Sequence, residues 1–111
     1  MNTLAVLWKT NNITDIEEMV VPYILGSKKH GWWDHVEVII WGASQKIVAN
    51  NDAVRTHVKA MIRAGVKVHA YKKCSDDLCV SDSLGDIGVD VLYTGVMLTE
   101  FLQSDTKVLT F

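Results

Sequence analysis

His35-Val36-Glu37-Val38-Ile39-Ile40-Trp41-Gly42-Ala43-Ser44 reads as a strand that stops at a glycine and hands over to a helix. Gly42 ends the apolar run, and Ser44 has the side chain of a helix cap for a short helix over Gln45–Ala49. Working outward from this stretch gives the same unit repeatedly. Downstream, Val54, Val58, Met61 and Ile62 mark one face of a helix from about Asp52 to Ala64, which Gly65 closes before the strand Val66–Tyr71. Upstream, Thr3–Trp8 (TLAVLW) is a short unbroken apolar run, as expected of a strand buried on both faces in a parallel sheet.

Between those two strands, Thr14 and Glu17 have capping-box spacing, and a helix from about Asp15 to His30 follows. Lys28, Lys29 and His30 favour its carboxyl end and Gly31 ends it, while Pro22, the only proline, predicts a kink or local break. A helical piece is expected over Ser75–Leu84, with a possible new cap at Val80-Ser81-Asp82. Then come a strand over Val89–Tyr93, a short helix over Gly95–Leu102 and a closing strand over Lys107–Phe111. The order β-α-β-α-β-α-β-α-β predicts an α/β domain over residues 1–111, with five mostly parallel strands, helices on both faces and right-handed crossovers.

The 111 residues are 49% hydrophobic and 22% charged, with a net charge of −2, so nothing draws the chain to nucleic acid or to an anionic membrane. No apolar segment reaches the roughly 20 residues that span a bilayer. The amino-terminal residues lack the pattern of a signal peptide, and two neighbouring cysteines then imply reduced thiols and a cytoplasmic location.

In open parallel sheets, ligands bind beyond the carboxyl ends of the strands. That rule selects the loops at Lys9–Asn12, Gly42–Ser44, Lys72–Ser75 and Thr94–Gly95. Both cysteines lie on or just past this edge, in Tyr71-Lys72-Lys73-Cys74-Ser75-Asp76-Asp77-Leu78-Cys79-Val80. Structural zinc needs four ligands, and no second cysteine pair accompanies this one. A redox pair is disfavoured too, because a spacing of five on a helix rotates the second sulfur by about 140° from the first. A lone nucleophile fits Cys74 better. Lys72, Lys73 and a helix start favour its thiolate, against the opposing charge of Asp76 and Asp77. Cys79, between Leu78 and Val80, is expected in the core.

Trp8 and Trp41 end the first two strands and are candidates to line a pocket at that edge with Tyr71, although a core role suits both tryptophans as well. Trp32 and Trp33, in one turn, cannot easily both point inward, and an exposed tryptophan there suits a subunit interface. His30, His35, His57 and His69 show no i, i+4 pair that would bind a metal. His69 is kept as a possible acid or base beside the pocket.

Taken in order, LAVLW (Leu4–Trp8), KKHGWWDHVEVIIWGAS (Lys28–Ser44), IRAGVKVHA (Ile62–Ala70), LTEFL (Leu98–Leu102) and KVLTF (Lys107–Phe111) resemble the DsrE/DsrF-like family of small sulfur-relay proteins. The resemblance implies a three-layer α/β/α sandwich with a five-stranded parallel sheet, of the flavodoxin-like topology class, assembled as a homo-oligomer, trimer or hexamer. It implies no cofactor. In relay members a cysteine just after the third strand carries a persulfide to a partner protein, often within A-C-x-x-C. Here the segment is Ala70-Tyr71-Lys72-Lys73-Cys74, so Tyr71 stands at the first cysteine position and Cys74 at the second. At Leu78-Cys79-Val80 relatives tend to carry Gly-Val. The expectation is a sulfur-handling protein with Cys74 as acceptor beside Lys72 and Lys73. The alternative is a non-catalytic oligomeric module that binds a small ligand or partner.

Overall fold

The computed structural model describes residues 2–111. Strands β1 (Thr3–Trp8), β2 (His35–Ile40), β3 (Lys67–Tyr71), β4 (Asp90–Leu92) and β5 (Lys107–Thr110) form one sheet in the order β4-β3-β2-β1-β5. Every neighbouring pair is parallel. The α/β architecture with five parallel strands is the expected one. The order across the sheet differs from the 2-1-3-4-5 of flavodoxin: here β1 to β4 lie in sequence and β5 flanks β1 from the other side.

That order divides the helices unequally. From β1 to β4 the chain steps in one direction, so right-handed crossovers stack the intervening helices on one face. The return from β4 to β5 runs the other way and carries Gly95–Gln103 to the opposite face. Burial follows this division. On the first face, the register partners Leu4 and Val36, Val6 and Val38, and Trp8 and Ile40 are all buried. They pack with Ile16, Val20, Ile24, Val54, Val58 and Met61 from the helices. On the second face Ala5, Ile39 and His69 are buried, but the Gly95–Gln103 helix that covers it buries no residue of its own.

The first helical stretch starts at Ile13, one residue past its cap. The Asn12 side chain, not Thr14, accepts the Asp15 N–H at 3.0 Å. Helix Ile13–Asp15 passes into a π-helical turn, Ile16–Val20, and then into Val21–Lys29, with Pro22 in the first turn of the last piece. Proline has no N–H to give and its ring crowds the carbonyl four residues back, here Glu18. The wider turn falls just where that carbonyl needs room, so the helix continues without a break.

The expected helix over Ser75–Leu84 is two helices, Lys72–Asp77 and Ser81–Asp86. It therefore starts directly after β3, with Cys74 inside its first turn. The residues between the two helices include Cys79, which is exposed and has φ of +58°, so the core position expected for it is corrected. Gly31, Gly65 and Gly88 have φ of +67°, +97° and +95° in the same place after their helices.

Candidate functional site

The carboxyl edge of the sheet is tied together by two buried polar side chains on the Ser44–Asn50 helix. Ser44 Oγ donates to the Trp8 carbonyl at 2.6 Å and lies 3.1 Å from that of Trp41. Gln45 Nε2 donates to the carbonyls of Ile40 and Tyr71, each at 3.0 Å. One helix start thus holds the ends of β1, β2 and β3 in register with one another. Ser44 is the first residue of its helix rather than the cap before it.

Around this clamp the edge is aromatic. The Trp41 and Tyr71 rings have centroids 4.4 Å apart, and Tyr93 meets Tyr71 edge-on at 6.2 Å. The Tyr71–Tyr93 contact falls within the range in which aromatic pairs attract beyond their buried area, and Trp41–Tyr71 lies at its near edge. Next to Trp41 lies a cavity of about 380 Å³ lined by Leu7, Lys9, Trp41, Gly42 and Leu98. It sits between the ends of β1 and β2 and the Gly95–Gln103 helix. Trp8 is elsewhere: it is fully buried on the other face, its indole N–H donating to the Thr10 carbonyl at 3.0 Å.

His69 lies further down β3, on the face that carries Tyr71. It is almost completely buried, with Nε2 3.1 Å from Glu37 Oε1 and Nδ1 3.8 Å from Asp90 Oδ2. A carboxylate from each neighbouring strand therefore flanks the ring. The Glu37 hydrogen bond joins β2 to β3, while the buried Nδ1 has no hydrogen-bond partner among the described residues.

The thiols lie beyond the end of β3, on and just after the Lys72–Asp77 helix. Cys74 is half-buried, and the two lysines beside it face the next helical turn. Lys72 Nζ donates to Asp76 Oδ2 at 2.7 Å, and Lys73 Nζ to Asp77 Oδ2 at 2.8 Å. The bonds to Asp76 and Asp77 hold the ammonium groups of Lys72 and Lys73 above the usual lysine value. Lys72, with help from the Ser81 hydroxyl, holds the Asp76 carboxyl below its usual value. Cys79 borders a cavity of about 300 Å³ with Asp76, Ser81 and Asp82. Among the described residues no cluster of three or more His, Cys, Asp or Glu side chains is placed to hold a metal ion.

Sequence reasoning named Trp41, Tyr71 and His69, which the structure brings to one face, and Cys74, Lys72 and Lys73, which it leaves side by side on one short helix. The strand-end rule also selected the loop that begins at Lys9, but Gln45, Leu98 and Tyr93 were missed. Gln45 left a trace: it stands three and four residues before Val48 and Ala49, on the buried face of its helix, where an apolar side chain is the rule. Leu98 left none, since it meets Lys9, 89 residues away, only through the sheet order.

A five-stranded parallel α/β sandwich of this topology is the fold of YchN from E. coli, whose crystal structure superposes with a TM-score of 0.73 over all of both chains. The sequences are 16% identical, so that likeness shows the DsrE/DsrF-like fold alone. The structure of BT1422, a conserved protein of unknown function from Bacteroides thetaiotaomicron, superposes with a TM-score of 0.96. It is 36% identical over 99% of this chain and 95% of that one, and the chain belongs to the same family as BT1422. No family model and no curated protein matches the sequence.

Proposed function

We propose that the chain is a non-catalytic binding module with the YchN-like fold, holding a small ligand or a partner at the carboxyl edge of its sheet. One observation carries this reading. At the position where the family resemblance expects the relay cysteine stands Tyr71, its ring packed 4.4 Å from that of Trp41 beside an apolar cavity. The ion pairs of Lys72 with Asp76 and Lys73 with Asp77 support it, because they occupy the cations that would activate Cys74.

The module is proposed to work as a homo-oligomer, a trimer or hexamer by the same resemblance. Gly95–Gln103 packs chiefly against β5 and leaves the β3–β4 part of its face to side chains alone, with Tyr93 64% exposed there. Aromatic side chains of this kind are enriched in subunit contacts. Trp32, 58% exposed and stacked on His30, offers a second such surface. Sedimentation equilibrium reads the subunit number, and a monomer at micromolar concentration overturns the assembly.

A second reading keeps the sulfur relay, because Cys74 lies in the first turn of the helix that follows β3 and retains some exposure. In it the Cys74 thiolate attacks the outer sulfur of a donor persulfide, the donor S–S bond breaks and the donor leaves as its thiolate. A sulfur-relay protein partner would then take the outer sulfur. Intact mass after incubation with a low-molecular-weight persulfide separates the two. The binding module predicts no stable one-sulfur increment at Cys74. An increment that Cys74→Ser abolishes and Cys79→Ser leaves overturns that reading in favour of the relay.

A further inference from the structure

We infer that the cavity between the β1 and β2 ends and the Gly95–Gln103 helix takes a small uncharged aromatic molecule, held by apolar contact with Leu7, Trp41 and Leu98. The inference rests on the binding-module reading and names the ligand class of that same edge. At about 380 Å³ the cavity is near the lower end of the range for small-molecule sites. Leu7, Trp41 and Leu98 give it apolar walls, and no carboxylate, hydroxyl or amide side chain lines it. Lys9, the one charged residue in the lining, is exposed, so its ammonium keeps its water without a ligand.

The walls favour an aromatic guest. Trp41 is backed by the Tyr71 ring at 4.4 Å, and a second ring against a steadied indole gains more than its buried area alone. Gly42 has φ of +71°, which favours glycine, and a Cβ built there meets no atom within 4 Å, so the space beside Trp41 stays open. The far wall lacks partners of its own. In the nine-residue helix Gly95–Gln103, Val96, Met97, Leu98, Phe101 and Leu102 are apolar, yet none is buried. Leu98 therefore gains apolar contact from a guest that the sheet does not give it. Charge is selected against. An anion entering the cavity gives up hydration for no more than a solvated ammonium at the rim, and a cation gives it up with no carboxylate to receive it. An uncharged ring loses only apolar hydration, which favours entry.

The test is a ¹H–¹⁵N NMR titration of the whole chain with indole, and with indole-3-acetate and tryptamine, which add a negative and a positive charge to the same ring. The expected result is saturable indole shifts confined to the Trp41 side chain, the Gly42 amide and the Gly95–Gln103 amides, with each charged compound bound about tenfold more weakly or worse. Leu98→Trp fills the space from the helix, and Leu98→Asp puts a charge in the wall. Each is expected to remove the indole shifts while the rest of the spectrum keeps its folded pattern. A charged compound that binds as tightly as indole overturns the uncharged class and leaves the binding module standing. Indole shifts that survive in both Leu98 variants overturn the site. No saturable shift with indole overturns the inference, and the persulfide experiment still decides between the module and the relay.

Discussion

Four helices end with the same two hydrogen bonds. In each, the residue after the cap bonds back three positions and the next residue bonds back five: Gly31 to Lys28 and Trp32 to Ser27, Gly65 to Ile62 and Val66 to Met61, Cys79 to Asp76 and Val80 to Ser75, Gly88 to Gly85 and Val89 to Leu84. This is the Schellman arrangement, which requires a left-handed residue and ordinarily uses glycine for it. Only at Cys79 does a side chain stand there, with φ of +58°. A non-glycine residue in that conformation costs about 1–2 kcal/mol, of which glycine's extra unfolded-state freedom offsets part. Cys79→Gly is therefore expected to stabilise the fold by about 0.5–1 kcal/mol. Gly31→Ala, where the added Cβ meets nothing, should lose about 1 kcal/mol. Urea unfolding of the two variants measures both, and a destabilised Cys79→Gly would contradict the account. The same geometry explains why Cys79 was misread: its neighbours are apolar, but a left-handed residue at a helix end turns outward whatever its flanks.

At the scale of elements, the Ser44–Asn50 helix does more for the carboxyl edge than its length suggests. Its second residue gives both amide hydrogens to carbonyls of two different strands. Gln45→Leu keeps the volume and removes the donors, leaving one buried and one part-buried carbonyl short of a partner. A loss of about 2–4 kcal/mol is expected, and the Trp41 fluorescence should shift as the ends of β2 and β3 part. A loss under about 0.5 kcal/mol would mean that those carbonyls are satisfied without Gln45. Element existence was legible throughout, because each strand is an apolar run closed by glycine or a polar turn. What the pattern does not carry is the joint. The seating of Gln45 against Tyr71, 26 residues away, does not follow from periodicity, since it depends on what the chain meets in space, whereas the break of the Ser75–Leu84 helix falls at the new cap that Val80-Ser81-Asp82 offered.

For the whole molecule, strand order decides more than strand identity. Alternation of strands and helices predicted a parallel sheet with helices on both faces, and that is the architecture found. It did not predict the imbalance, with three crossovers on one face and a single helix on the other, because element order alone leaves open the side of β1 on which β5 lies. The candidate site was legible to the same extent. Trp41, Tyr71 and His69 could be named because strand ends can be read, while the far wall, Leu98, belongs to the element whose placement could not. The imbalance bears on which part of the protein lets go first. A helix of nine residues with none buried has little to hold it closed, while β1 and β2 lie in the middle of the sheet with every inward residue covered. Amide hydrogens of Gly95–Gln103 should exchange with solvent deuterium through local opening, at free energies well below that of global unfolding, while those of β1 and β2 exchange only when the whole chain unfolds. Equal protection in the two regions would disprove this. Since Leu98 rides on that helix, each such opening would unroof the cavity beside Trp41, and the wall of the proposed binding site would double as its door.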